Sequence, residues 1–358
     1  MQSTSADVPY NAAGMAEPTP LPPQFPEVGA ARRFLGDYHV TGLFWYRFHK
    51  WAVSTLPAWT LWPITWTFTP FFFCTIFKIR RAIASNLDAV LGACGFLERQ
   101  RRIWATMWSF AWCLTERYER LTTDRPFDLS IDAIEHWDAV ASPKLGFVMV
   151  TAHLGMYEVS SMLPTPNGPR HVHLVREPEV EPRAQEFIRE CVRSVEGSYF
   201  TMHFQSDDPL QGMIFLDALR RGEIVAVQGD RPRAGSRTVP ATLFGRPIAL
   251  PSGPAALART AGVPMLPVFA IRTGRRRCRV VFGPPITVPR TSDRNADLTY
   301  AVGRVAVEIE AAVRRAPHQW FVFRELWPKR PPSIAEVRPD RALQREPAFD
   351  GDVDRVRR

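Results

Sequence analysis

His153 and Glu158 are the first residues in this chain whose types and spacing read as chemistry. They lie in Val150-Thr-Ala-His-Leu-Gly-Met-Tyr-Glu158, directly after the apolar run GFVMVTA at 146–152. A short run of Val, Phe and Met predicts a buried strand. Side chains five apart on one helix point about 140° away from each other and do not meet. They meet if His153 sits on a strand-to-helix turn and Glu158 on the first helical turn, with Gly155 supplying the bend. The carboxylate then orients the imidazole and leaves its basic nitrogen outward for proton transfer. Strand C-termini of open α/β sheets are also where ligands bind. The competing reading has His153 capping a helix and Glu158 in a surface ion pair.

No better nucleophile site is present. The sequence has no GxSxG elbow, no P-loop and no HExxH, and Gly222 to Gly229 does not form a dinucleotide fingerprint. A general base without a nucleophile of its own suits direct transfer, in which an acceptor hydroxyl attacks a thioester. Five cysteines stand far apart without CxxC spacing, so neither a zinc site nor a disulfide framework is signalled. His171 and His173 would share one face of a strand, but no third metal ligand lies near them in sequence.

The elements that must position this site follow from the pattern. Ile79 to Leu121 reads as helix, with charges between periodic apolar positions and no proline. After Pro126 come short apolar runs at 146–152, 223–229, 264–271 and 279–283, with helical stretches at 182–196, 207–221, 253–261 and 296–315. Alternating strands and helices predict an α/β fold with a mostly parallel central sheet flanked by helices. The first 30 residues hold six prolines and no basic residue and read as a disordered tail; the end from Pro331 is likewise polar and patternless.

Residues 51–77 carry no charged side chain and are rich in Trp and Phe, interrupted by Pro57, Pro63 and Pro70. As a helix the run would span roughly 40 Å, more than the hydrocarbon core of a bilayer. It predicts membrane contact, either as one tilted, kinked span or as a re-entrant hairpin. Basic residues flank both ends, so the positive-inside rule chooses no orientation. The net charge is +9, and the body from 31 to 330 carries +12 of it, almost all as arginine. Such a body suits an acidic carrier or an anionic membrane surface. Nucleic-acid binding would explain the charge but not the apolar run, and is not expected.

The His-Leu-Gly-Met-Tyr-Glu block resembles the H(x)4(D/E) motif of bacterial lipid A late acyltransferases and the related phosphatidylinositol mannoside acyltransferases. Further blocks resemble the same family in order, from about residue 45 to 328. They are Arg80-Arg81 with Asn86-Leu87, Leu174-Val-Arg176-Glu-Pro178, Gly229-Asp230-Arg231, Val239-Pro240, Phe244-Gly-Arg246-Pro247, Pro251-Ser-Gly253-Pro254-Ala255, and Gln319-Trp320 to Trp327. The chain departs at Val180-Glu181-Pro182, where an Asn is usual, at Met156-Tyr157, and at Arg324-Glu325.

The resemblance implies a glycerolipid acyltransferase-like fold and an O-acyltransferase. The enzyme would move a fatty acyl chain from acyl carrier protein or acyl-coenzyme A to a hydroxyl of an anionic membrane glycolipid, without cofactor or metal. His153 is the expected general base and Glu158 its orienting partner. The resemblance places Asp230 near the catalytic histidine as a second carboxylate; an ion pair with Arg231 or Arg233 is the alternative. Arg176, Arg231, Arg246 and Gly253 are the expected substrate-binding residues. Arg275-Arg276-Arg277 reads as a solvated turn, with docking of anionic headgroups or carrier protein as its functional reading. The expected organisation is a tail at 1–36, a membrane-anchoring segment at 37–80, the acyltransferase domain at 81–330 and a polar tail at 331–358. The expected location is the inner membrane, with the catalytic domain on its cytoplasmic side. The rival is a silent membrane protein that binds lipid or carrier without turnover.

Overall fold

Phe147–Thr151 shows how the core is laid down. Phe147 and Val148 are both fully buried yet face opposite sides of the sheet, as the two-residue period of a strand requires. A strand buried on both faces reads as a continuous apolar run, the mark of a parallel sheet covered on both sides. The computed structural model describes residues 43–327, apart from 124, 142–144, 161–164, 167, 169, 180, 194–199, 207 and 234. The two expected tails therefore lie outside the described residues.

The helices in chain order are α1 (Leu43–Thr55), α2 (Leu61–Thr75), α3 (Phe77–Leu91), α4 (Phe96–Thr122), α5 (Ile134–Asp138), α6 (Tyr157–Ser160), α7 (Pro182–Arg193), α8 (Pro209–Arg220), α9 (Gly253–Ala261) and α10 (Arg294–Arg315). The strands are β1 (Asp128–Asp132), β2 (Phe147–Thr151), β3 (Val172–Arg176), β4 (Phe200–Phe204), β5 (Ile224–Gln228), β6 (Thr238–Leu243), β7 (Arg246–Pro251), β8 (Met265–Gly274) and β9 (Arg277–Phe282). Seven strands form one sheet in the order β1-β9-β8-β2-β5-β3-β4. Neighbours run parallel throughout except the β8–β9 hairpin. The expected α/β fold with a mostly parallel sheet is the fold observed.

Each face of the sheet has its own core. Val148, Val150 and Val225 pack with Phe215 and Leu219 of α8, Ala258 of α9, and Val302, Val305 and Ile309 of α10. Phe147, Ile224, Val172 and Leu174 pack with Tyr118 and Leu121 of α4 and Ile188 and Val192 of α7. Burying each such side chain stabilises the fold by about 1.5–3 kcal/mol.

The uncharged N-terminal stretch is not one helix. Leu56 precedes Pro57, which disfavours helical backbone before it and stops α1. Pro63 falls in the first turn of α2, where its missing N–H is not needed. The ring of Trp45 meets Phe68 and Phe72, and Phe48 meets Phe68, so α2 folds back along α1. Among the described residues no helix is long and apolar enough to cross a membrane, so the single-span alternative is not found. The helical pattern expected from Ile79 to Leu121 is likewise divided, because Gly92, at φ 79°, ends α3 and Gly95 caps α4.

The hairpin rests on α4 and encloses an apolar cavity of about 1060 Å³, counting its open mouth. Trp45, Phe68, Phe72, Met107, Phe110 and Phe323 are among its walls. On the outside, Trp51, Trp59, Trp62, Trp66, Phe71 and Phe77 stay exposed, with Trp59 at 74%. Asn86 ties α3 to the closing segment. Its amide nitrogen donates to the carbonyls of Val322 (3.0 Å) and Arg324 (2.9 Å), and its oxygen accepts from Leu326 N–H (3.1 Å).

Replacing Asn86 by Ala strands those three backbone groups. We expect a loss of about 3 kcal/mol and an unfolding midpoint several degrees lower, measured by thermal denaturation. An unchanged midpoint would show that the ties to Val322, Arg324 and Leu326 do not hold the closing segment.

Candidate active site

Strands β2 and β5 are neighbours in register, Thr151 opposite Gln228, so the residues following them emerge side by side. His153 and Asp230 are those residues. Gly229 N–H donates to Thr151 C=O at 2.8 Å, and a Cβ at Gly229 would come 2.8 Å from Val150 Cγ1. A side chain at Gly229 would press on that of Val150. Asp230 is fully buried. Its Oδ1 lies 2.7 Å from His153 Nδ1, and its Oδ2 accepts from the His153 backbone N–H (3.1 Å) and the Trp320 indole Nε1–H (3.0 Å).

The turn carrying His153 is fixed from the other side by the closing segment. His153 C=O accepts from Phe321 N–H at 2.7 Å, and Gly155 N–H donates to Gln319 C=O at 2.8 Å. Gly155 has φ 57°, and a Cβ there would come 2.2 Å from Ala270 O. The flexible residue expected at the bend is thus demanded twice, by the left-handed backbone and by the close approach.

Burial by itself would raise the Asp230 pKa. The His153 imidazole, its hydrogen bond and the nearby Arg231 outweigh that and hold the carboxyl at about 2. An ionised carboxylate only accepts, so the proton between the two groups belongs to His153 Nδ1. The neutral imidazole then has its lone pair on Nε2, and the ring, 12% exposed, can act as a base there. The Tyr157 ring lies 5.1 Å from it.

Glu158 does not take the place expected for it. Both its oxygens are engaged by arginines on the far face of the sheet: Arg117 Nη1 at 2.8 Å and Arg176 Nη1 at 2.6 Å. Burial pushes its pKa up, but the two guanidiniums, with His153, bring it below the ordinary value. The group that orients His153 is Asp230, which comes from the next strand and not from the next helical turn. Arg176, expected to hold substrate, spends its guanidinium on Glu158 and on Glu179 Oε1 (2.6 Å).

The other expected substrate residues spread along the same edge. Arg231 is largely buried beside Asp230 and donates to Glu177 Oε2 at 3.3 Å. Arg246 is exposed at the tip of the β6–β7 hairpin, its guanidinium 5.8 Å from the centre of the Trp327 ring. Gly253 opens α9 with free space where a Cβ would stand, so no close approach requires glycine there. Arg275 and Arg276 form the expected turn between β8 and β9, and Arg277 opens β9; Arg275 binds the buried Glu119 at 2.6 Å and Arg277 lies 3.7 Å from Asp128. Sequence reasoning did not single out Trp320 or Arg117 for the site. The only trace of Trp320 was its place in the closing block; Arg117 had none.

His171 and His173 lead into and lie on β3, and His203 on β4 brings its Nε2 to 2.9 Å from His173 Nδ1. Even so, among the described residues no group of three or more His, Cys, Asp or Glu side chains is placed to hold a metal ion.

Residues 34–329 match the family model for bacterial lipid A biosynthesis acyltransferases, and the chain belongs to that family. The resemblance drawn from the sequence blocks is borne out. No curated protein matches the chain. Five solved chains match it. One is the 1-acyl-sn-glycerophosphate (LPA) acyltransferase PlsC from Thermotoga maritima, at 13% identity and TM-score 0.31, with 68% of this chain and 94% of that chain covered.

The depressed Asp230 pKa carries a stability prediction with a definite sign. A carboxyl at about 2 in the fold and about 3.9 when unfolded contributes stability above pH ~5 that is lost as pH falls toward 2. Denaturant unfolding should therefore show Asp230→Asn weaker than the parent by on the order of 2 kcal/mol at pH 6, with the gap closing between pH 4 and pH 2. A gap that stays constant across that range would contradict the charged, buried carboxylate.

Proposed function

We propose that the protein transfers a fatty acyl chain from an acyl carrier protein or coenzyme A thioester to a hydroxyl of an anionic membrane glycolipid of the lipid A type. The observation that carries this reading is the buried Asp230 carboxylate holding His153 so that Nε2 is basic and open to the sheet's C-terminal edge. Membership of an acyltransferase family supplies the reaction class.

In the proposed step the acceptor hydroxyl gives its proton to His153 Nε2 as its oxygen attacks the thioester carbonyl. A C–O bond forms, the C–S bond breaks, and the imidazolium returns the proton to the leaving thiolate. Asp230 stabilises the imidazolium while it lasts. No acyl-enzyme, metal or cofactor enters the scheme. Arg231 and Arg246 are the arginines on this edge that we assign to the acceptor's anionic headgroup; guanidiniums grip phosphate oxygens in pairs.

The acyl chain we assign to the apolar cavity under the α1–α2 hairpin, whose Phe110 and Phe323 walls contact Phe321, the residue bonded to His153 C=O. The exposed Trp and Phe side chains of the hairpin suit the headgroup boundary of a bilayer, where such rings concentrate. We accordingly propose an interfacial hairpin anchor on the cytoplasmic face of the inner membrane in place of a span.

The test is acyl transfer in purified membranes, with labelled palmitoyl carrier protein and palmitoyl-coenzyme A as donors and envelope lipid extracts as acceptors. His153→Ala should lower kcat by about 10²–10⁴-fold while membrane binding persists. Label that stays on both thioesters with the unmodified protein, across acceptors, would favour the silent binder.

A further inference from the structure

Tyr46 lies on α1, in the aromatic hairpin, yet a continuous chain of polar contacts joins it to the helix that follows the His153 turn. The Tyr46 hydroxyl donates to Glu179 Oε2 at 3.1 Å. Glu179 Oε1 accepts from Arg176 Nη2 at 2.6 Å, and Arg176 Nη1 donates to Glu158 Oε1 at 2.6 Å. Arg117 Nη1 closes the chain on Glu158 Oε2 at 2.8 Å. A second tie runs beside it, from Leu43 N–H at the start of α1 to Glu181 Oε2 at 3.3 Å.

Every link is largely shielded from water. Tyr46 is 6% exposed, and burial together with Glu179 pushes its hydroxyl pKa well up, so it stays a donor. Glu158 is the second residue of α6. The Arg117 and Arg176 guanidiniums hold its carboxylate from α4 and from the end of β3. Tyr157 beside it carries the ring whose centre is 5.1 Å from that of His153.

We propose that Tyr46 and Glu179 are positioning residues, through which the aromatic hairpin fixes the turn that presents His153. Seating of the hairpin at a membrane is then coupled to the pose of the base. The inference rests on the reading of His153 as that base. The charged and titratable groups around it are Asp230 and Arg231 after β5, Arg117 from α4, Arg176 and Glu179 from the end of β3, and Tyr157 and Glu158 from α6.

The experiment compares the full chain with Tyr46→Phe and Glu179→Gln in lipid nanodiscs. It measures kcat, KM, the pH profile, and the His153 Cε1–H resonance through a pH titration, assigned by its loss in His153→Ala. Tyr46→Phe removes one oxygen and should lower kcat about 10-fold with KM changed less than about twofold, and should shift the His153 resonance. Glu179→Gln leaves all of Arg176's charge to Glu158, so less negative charge faces His153. Its titration, and the acid limb of kcat/KM, should move to lower pH.

An unmoved His153 resonance in both variants, with kcat intact, would overturn the proposal. A kcat loss that merely follows a lowered melting temperature in both would overturn it as well. If the parent protein transfers no acyl group while the resonance still shifts, the coupling stands and the acyl-transfer reading falls.

Discussion

A carboxylate with no exposure to water survives in a fold only if its lone pairs are filled and its charge is answered. Asp230 is that carboxylate, and much of the molecule is arranged around it. Its partners come from three directions: the imidazole and backbone of His153 after β2, the indole of Trp320 in the closing segment, and the charge of Arg231 next door. To bring them together, β2 and β5 must be neighbours, and the chain beyond α10 must return across the sheet edge. The arrangement that satisfies the buried charge is the same one that leaves Nε2 of His153 as the free basic nitrogen.

The second acid of the motif serves a different balance. Glu158 sits among Arg117, Arg176 and Glu179, a cluster whose like and unlike charges alternate. A similar device recurs at the same end of α4, where the buried Glu116 and Glu119, on either side of Arg117, hold Arg272 and Arg275 at 2.9 and 2.6 Å. Several arginines of this basic chain are therefore committed to buried carboxylates. Net charge overstates the positive surface available to an acidic partner, and Arg246 at an exposed hairpin tip is worth more to such a partner than Arg176.

How far the sequence could be read depended on how local the cause was. Strands such as Phe147–Thr151 and Ile224–Gln228 were legible because burial on both faces demands continuous apolar residues. The β6–β7 hairpin was not, since its two-residue turn places Phe244 at φ 53° before Gly245 at φ 70°, where Asn or Asp would be the usual signal. Phe244 tolerates that conformation because its N–H donates to Glu310 Oε1 at 2.6 Å and its ring meets Trp320, both distant in sequence. For the site, His153 and the need for a carboxylate partner were legible. The choice of Asp230 over Glu158 was not, because strand adjacency and not spacing along the chain decides which carboxylate arrives. The apolar N-terminal run was legible as apolar, but its folding back onto α4 depends on tertiary ring contacts.

The central claim is that Asp230 holds the proton of the pair on His153 Nδ1 and so frees Nε2. The most direct measurement is the ¹⁵N chemical shifts of the His153 ring at neutral pH in the full-length protein, with Asp230→Asn as reference. The account predicts a protonated Nδ1 and an unprotonated Nε2 in the parent, with that preference lost in the variant. A parent protein with its proton on Nε2, or a tautomer indifferent to Asp230→Asn, would contradict it.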